Sequence, residues 1–124
     1  MRWWLVLALA LLTLAACGSD GASRTARVHV EGRSVRIDSD AEVPVRGVQL
    51  ELAWDEGVHV TAIEPGVDAA HLDLVRAKLA DDGRSARVIV SDTRRVALPT
   101  RGEILHVVAE GEGELRVTKV AVAP

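Results

Sequence analysis

A strict alternation of apolar and polar residues is the feature that most constrains the fold of this chain. In the segment VQLELAW, residues 48–54, every second residue is a large apolar one, and Gln49 and Glu51 fall between them. Successive side chains of an extended strand point to opposite faces, so the pattern predicts a strand with one buried and one exposed face. The predicted buried residues are Val48, Leu50, Leu52 and Trp54.

Shorter alternating segments occur along the rest of the chain, separated by turn residues such as DEG at 55–57 and EPG at 64–66. Short strands with turn signals between them favour a β-sandwich or a β-barrel. In the last segment the apolar alternation changes phase between Val117 and Val120, which predicts a β-bulge near Thr118 and Lys119.

One segment, residues 68–80, fits both a helix and a strand. Its leucines and valine recur at helical spacing, but Leu72 and Leu74 alternate as in a strand, and ADDGRS at 80–85 could form a hairpin turn. We favour a short helical turn at 68–71 followed by a strand.

The N-terminus, MRWWLVLALALLTLAAC, has one basic residue, an apolar stretch and then small residues. This order is typical of a helical secretory signal peptide, and the stretch is too short to span a bilayer. Its last four residues resemble the lipobox of bacterial lipoproteins: Leu14, Ala15, Ala16 and Cys17. The resemblance implies that Cys17 receives a diacylglyceryl group and becomes the first residue of the mature chain. The alternative is ordinary cleavage that leaves Cys17 as an unmodified thiol.

Processing at this motif predicts three parts: a signal peptide at 1–16, a lipidated cysteine with a flexible tether at 17–26, and a folded domain at 27–124. The Gly/Ser-rich tether has a reach of about 16 Å, and two or more acyl chains give stable membrane attachment. We therefore expect an exported, membrane-anchored lipoprotein. Because Gly18 follows the cysteine, we expect the outer membrane in an organism with two membranes.

Composition excludes several classes of function. Without residues 1–16 the formal charge is 14 − 18 = −4, and no basic stripe is present, so nucleic acid is not an expected partner. The chain has a single cysteine, so the core must hold the fold without an internal disulfide. Sugar-binding sites use exposed aromatic rings. The predicted domain has only Trp54, on its buried face, so polysaccharide binding is disfavoured.

No constellation of residues indicates catalysis, and we expect neither an enzyme nor a cofactor. The four histidines lack metal-ligand spacing, and no serine lies in a nucleophile-elbow motif. Asp38, Asp40 and Glu42 could hold calcium through their oxygens, but a solvated acidic turn is the favoured interpretation. The segment DTRR, residues 92–95, is likewise expected to be a solvated loop.

The run VRGVQLELAWDEGVHVTAIEPG, residues 45–66, resembles the cohesin family, and the order of later strands and loops to residue 122 follows the same family. The resemblance implies an all-β, cohesin-like jelly-roll sandwich of about eight or nine strands. It also implies that one sheet face binds another protein, the dockerin module. The family normally adds a closing strand beyond the one that ends here near Pro124, so an open sheet edge is expected.

The candidate binding residues lie opposite the predicted core. Gln49 and Glu51 lie on a strand that, by the cohesin resemblance, contributes to the dockerin-facing sheet. Arg87, Ile89 and Ser91 share the face opposite Val88 and Val90. An outward Ile89 would suit the centre of an interface, although it could instead pack beneath a loop.

The predicted function is a lipid-anchored, non-catalytic module that binds a protein at the cell envelope. The alternatives are an assembly lipoprotein that acts by sheet-edge pairing and, less favoured, a carbohydrate-binding module.

Overall fold

The computed structural model describes residues 26–40 and 44–124. This part of the chain forms eight β-strands and one short 3-10 helix, η1. Their bounds are β1 Ala26–Glu31, β2 Ser34–Ser39, β3 Gly47–Trp54, β4 Val58–Pro65, η1 Val67–Ala69, β5 Leu74–Leu79, β6 Ser85–Ser91, β7 Arg101–Gly111 and β8 Leu115–Ala123. The predicted signal peptide, Cys17 and the tether up to residue 25 lie outside the described residues. Among those described, no helix has the length and apolar character needed to cross a membrane.

The strands form two four-stranded antiparallel sheets. Sheet A has the order β1-β2-β7-β4, and sheet B has the order β5-β6-β3-β8. The edge strand β1 lies against β8, and β4 lies near β5, so the two sheets stack edge above edge. The inner faces meet in one apolar core, and each sheet keeps an outer face. The predicted all-β sandwich is confirmed.

Strand β3 supplies the centre of this core. Its alternate residues are almost completely buried, with exposed fractions of 3% or less: Val48, Leu50, Leu52 and Trp54. They belong to the same buried cluster as Val35, Ile37, Leu105 and Val107 of sheet A. The indole Nε1 of Trp54 donates a 2.9 Å hydrogen bond to the carbonyl oxygen of Gly83, which satisfies the one polar atom of this side chain.

The segment with mixed periodicity forms the predicted turn and strand. Helix η1 covers Val67–Ala69, and β5 then pairs along its whole length with β6. The hairpin turn is closed by a 2.9 Å hydrogen bond from the Ala80 N–H to the Ser85 carbonyl oxygen. Pairing with β6 provides the backbone of residues 74–79 with hydrogen-bond partners, which outweighs the intrinsic helix propensity of the segment.

The predicted bulge also occurs. Glu51 lies opposite Lys119 and Leu52 opposite Val117, so Thr118 is the extra residue on β8. Its hydroxyl donates a 3.3 Å hydrogen bond to the Glu51 carbonyl oxygen. Because of the bulge, Val117 and Val120 both lie on the inner face despite their odd spacing.

The expectation of a solvated loop at 92–95 is wrong for Asp92, whose carboxylate is buried at the end of β6. One oxygen accepts hydrogen bonds from the Asp73 N–H at 3.0 Å and the Arg94 Nη2 at 2.6 Å. The other accepts from the backbone N–H and the Nε of Arg94, both at 2.8 Å. Arg94 also donates to the His71 carbonyl oxygen at 3.0 Å. Asp92 thus joins the β6–β7 loop to the segment between η1 and β5.

We expect Leu52→Ala to lower the free energy of unfolding by about 2–5 kcal/mol, because Leu52 has no exposed surface and its truncation leaves a cavity. Gln49→Ala on the exposed face of the same strand is the matched control and should change it by about 0.5 kcal/mol or less. Chemical denaturation followed by circular dichroism measures both. Equal losses in the two variants would contradict the assignment of the faces of β3.

The Asp92 cluster predicts a specific dependence of stability on pH. The hydrogen bond from the Arg94 side chain, together with backbone N–H donors, holds the pKa of Asp92 far below its usual range despite burial. An unfolded-state Asp takes up its proton near pH 4. The contribution of Asp92 is therefore complete above about pH 4 and is lost as pH falls towards its folded-state pKa.

The variant Asp92→Asn tests this dependence. We expect the difference in unfolding free energy between wild type and variant to be largest near neutral pH and to shrink below about pH 4. The exposed Asp81→Asn in the β5–β6 turn is the control. A wild-type-to-variant difference that stays constant from pH 7 down to pH 3 would refute the role assigned to Asp92.

Candidate protein-binding face

The outer face of sheet B is built from alternate residues of four strands, and the strand register arranges their side chains in rows. One row carries an apolar residue near its middle: Arg76, Ile89, Gln49 and Ala121. The next row is charged throughout: Lys78, Arg87, Glu51 and Lys119. The flanking rows are Leu74, Ser91, Gly47 and Ala123 on one side and Ser85, Ala53 and Arg116 on the other.

The structure brings all five sequence-predicted binding residues onto this face. Gln49 and Glu51 lie on β3, and Arg87, Ile89 and Ser91 lie directly beside them on β6. Ile89 keeps 39% of its surface exposed, so it points outward and is not packed beneath a loop of the described chain. Core packing explains the arrangement, because the neighbouring residues Val88 and Val90 are buried on the inner side.

Sequence reasoning missed the two outer strands of the face, which contribute Arg76, Lys78, Lys119 and Ala121. The sequence contains a signal from which the β5 residues of the face could have been located. Once ADDGRS is accepted as a hairpin turn, counting back from it places Lys78 opposite Arg87 and Arg76 opposite Ile89. The β8 residues had no local signal, because the pairing of β8 with β3 joins segments that are far apart in the sequence.

The outer face of sheet B has two shallow depressions. One, of about 410 Å³, lies across β6, β3 and β8 and is lined by Gln49, Ile89, Lys119 and Ala121, among others. The second, of about 420 Å³, extends along Lys78 towards the β5–β6 turn. Glu51 and Arg87 line both depressions, so the charged row runs between two places where side chains of a bound molecule can enter.

Few of the cations on this face are neutralised. The Nε of Arg87 lies 3.8 Å from Glu51 Oε2, with both side chains in contact with water. At the end of the face, Arg116 Nη1 lies 2.9 Å from Asp55 Oδ1. The Asp55 carboxylate accepts hydrogen bonds from the Glu114 N–H and from the Arg116 side chain. These two hydrogen bonds hold the pKa of Asp55 below its usual range. Arg76, Lys78 and Lys119 make no ion pair with any described residue.

The outer face of sheet A differs in chemistry, since three of the four histidines lie on its strands. His29 Nε2 lies 3.0 Å from Glu31 Oε2, and His106 Nδ1 lies 3.4 Å from Glu103 Oε2. His59 is on the edge strand β4. Within residues 26–40 and 44–124, no three potential metal-ligating side chains come together.

Neither the favoured solvated acidic turn nor the calcium alternative at Asp38, Asp40 and Glu42 is tested, because Glu42 lies outside the described residues. Asp38 is exposed on β2, with its Oδ1 3.6 Å from Arg101 Nη2 across the sheet.

In comparisons with known proteins, neither a protein-family model nor a curated protein sequence matches this chain. One solved structure that matches this chain is the crystal structure of a type I cohesin–dockerin complex from Clostridium thermocellum. The alignment has a TM-score of 0.61 and 10% sequence identity, and covers 80% of this chain and 74% of the other. At this identity the likeness concerns the fold, and it agrees with the order of strands from which the resemblance was drawn. The described domain has a cohesin-like β-sandwich fold.

Proposed function

We propose that this protein is a lipid-anchored, non-catalytic module of the bacterial cell envelope that binds another protein through the outer face of sheet B. The observation that carries the proposal is the exposed Ile89 near the middle of a four-stranded face. It is surrounded by Gln49, Ser91 and a row of charged side chains. An apolar centre within a polar surround is the usual anatomy of a protein interface.

The fold comparison supports this choice of class. The similar solved structure is that of a cohesin bound to a dockerin, which is a protein–protein complex. By the cohesin resemblance of the sequence, the strand that corresponds to β3 contributes to the dockerin-facing sheet. In the structure, β3 lies inside sheet B between β6 and β8, so Gln49 and Glu51 are central to its outer face.

Sheet-edge pairing, the alternative mode, is less well supported. Strand β8 is an edge strand, with β3 as its hydrogen-bonded neighbour. However, the bulge at Thr118 and the charged Lys119 interrupt this edge near its middle, and β1 of the other sheet lies against it. Bulges and edge lysines are devices that oppose the addition of a further strand.

A carbohydrate-binding function finds no support in the described residues. Their one aromatic side chain is Trp54, which is 1% exposed and hydrogen bonded inside the domain. Such a residue offers no ring face to a sugar.

The membrane anchor rests on the motif Leu14-Ala15-Ala16-Cys17 and the tether that follows it. The first strand begins at Ala26, the last residue of the predicted tether segment. A tether with a reach of about 16 Å keeps the domain close to the lipid surface, where membrane-associated proteins are the accessible partners.

Replacement of the central apolar residue tests the binding face. We expect Ile89→Asn to weaken capture of the partner by at least about tenfold, because the partner would no longer bury an apolar side chain. The matched control is Val108→Asn on the outer face of sheet A, since Val108 is 37% exposed and Ile89 is 39% exposed. The measurement is affinity capture by the tagged full chain from detergent-solubilised membranes. Equal capture by both variants would contradict the assignment of the face.

Lipidation is tested in growing cells with a labelled fatty acid. We expect the wild-type chain and a Ser23→Ala control to incorporate the label and Cys17→Ser to incorporate none, because the thiol is the acceptor. Incorporation that persists in Cys17→Ser would rule out the anchor, and the domain would then need another route to the envelope.

A further inference from the structure

We infer that the partner presents an acidic surface to the outer face of sheet B, with carboxylates opposite Lys78, Arg87 and Lys119. This inference rests on the proposed function, because it assumes that the face binds a protein. It adds the chemistry of the partner, and it comes from the distribution of charge over the sandwich.

The outer face of sheet B is basic although the chain as a whole has a net charge of −3. The two central rows of this face carry four cationic side chains, Arg76, Lys78, Arg87 and Lys119, while Arg116 at the end of the face is paired with Asp55. The single carboxylate among them in the register is that of Glu51. The sign of this face is therefore opposite to that of the protein.

One end of the sandwich, where four hairpin turns meet, is rich in acidic residues. Contacts join these turns: Arg84 to Glu56 at 3.1 Å, Arg116 to Asp55 at 2.9 Å, and the Arg33 side chain to the Gly111 carbonyl oxygen at 3.1 Å. The acidic residues of this end are Glu31, Asp55, Glu56, Asp81, Asp82, Glu110, Glu112 and Glu114. This end is acidic, in contrast to the central rows of the face, although the opposite end also carries carboxylates, among them Asp38, Asp68 and Glu103.

Three cations of the face are available to a partner. Arg76, Lys78 and Lys119 have no ion pair within the described part of the chain, and Arg87 is held only loosely, at 3.8 Å from Glu51. A surface with one dominant sign steers molecules of the opposite sign towards it and rejects those of the same sign. An acidic protein surface is the complement.

An anionic membrane is also a complement for a basic face, but two features favour a protein. Glu51 lies inside the charged row, and a carboxylate there opposes anionic headgroups while it can pair with a cation on a protein. Membrane-surface binding also relies on aromatic or leucine side chains that insert into lipid. In the two central rows, which carry Arg76, Lys78, Arg87 and Lys119, the apolar residues are Ile89 and Ala121.

The two lysines make the inference directly testable, because Lys78 and Lys119 are the only lysines in the chain. They flank the face, about 14 Å apart across three strand spacings. A carbodiimide joins a lysine amine to a carboxylate only where the two already touch. Any amide between a lysine of this chain and a partner's Asp or Glu therefore reports this face.

The experiment uses the tagged full chain captured from solubilised membranes, treated with the carbodiimide and analysed by mass spectrometry. We expect amide links from Lys78, Lys119 or both to Asp or Glu of the captured protein. We also expect capture to fall as sodium chloride is raised from 50 to 300 mM, because salt screens the attraction. Capture without such links and without salt dependence would overturn the inference.

Charge reversal gives a second readout. Lys78→Glu plus Lys119→Glu should reduce capture by at least about tenfold, because like charges would then face each other. The control, Arg95→Glu plus Arg101→Glu, changes net charge equally but lies off the face, so it should capture like wild type. Equal loss in both double variants would overturn the inference.

Three comparisons separate this inference from the proposed function. If Ile89→Asn abolishes capture but charge reversal and salt do not, the face binds a protein that is not acidic. If wild type captures no protein, both proposals are wrong.

Finally, the purified chain is incorporated into vesicles of phosphatidylcholine with or without 30% phosphatidylglycerol, and the acetylation of its lysines is measured. Equal lysine reactivity supports a protein partner, and protection only in the anionic vesicles would assign the face to lipid.

Discussion

The position of β3 between β6 and β8 is the constraint on which the rest of the structure depends. Its inner residues, of which Leu52 and Trp54 are the most buried, form the middle of a core that has no disulfide to support it. Its outer residues, Gln49 and Glu51, are held in the middle of the candidate binding face by the same register. A slip of one residue would exchange the two sets, so burial of the core determines what the face presents.

Local patterns in the sequence were sufficient for much of this architecture. Period-2 alternation located β3 and β6, the phase change near Thr118 located the bulge, and ADDGRS located the β5–β6 hairpin. Each of these signals is carried by residues adjacent in the chain. The alternation and its phase change reflect the rule that the apolar side chains of a strand must reach the core, and ADDGRS reflects the preference of Asp and Gly for turns. Where packing imposes a periodicity, the sequence displays it.

The remaining features depend on contacts between distant segments, and these have no local signature. Lys119 joins the face only because β8 pairs with β3, and Thr118 and Glu51 are separated by 67 residues. Asp92 is similar: DTRR has the composition of a solvated loop, yet the N–H of Asp73, on a segment 19 residues away, helps to bury its carboxylate. A charged residue in a loop is buried when donors converge on it, and such convergence is a property of the folded chain.

The position of β1 relates the proposed anchor to the acidic hairpin turns. Strand β1 begins at Ala26 and leads away to the β1–β2 turn at the acidic end, so the tether joins the sandwich at the opposite end. If the proposed anchor holds that end near lipid, the four acidic turns lie at the far end of the domain from the membrane surface. The acidic surface of the proposed partner would be attracted by Lys78, Arg87 and Lys119 and repelled by the acidic turns, which favours a single orientation of the complex.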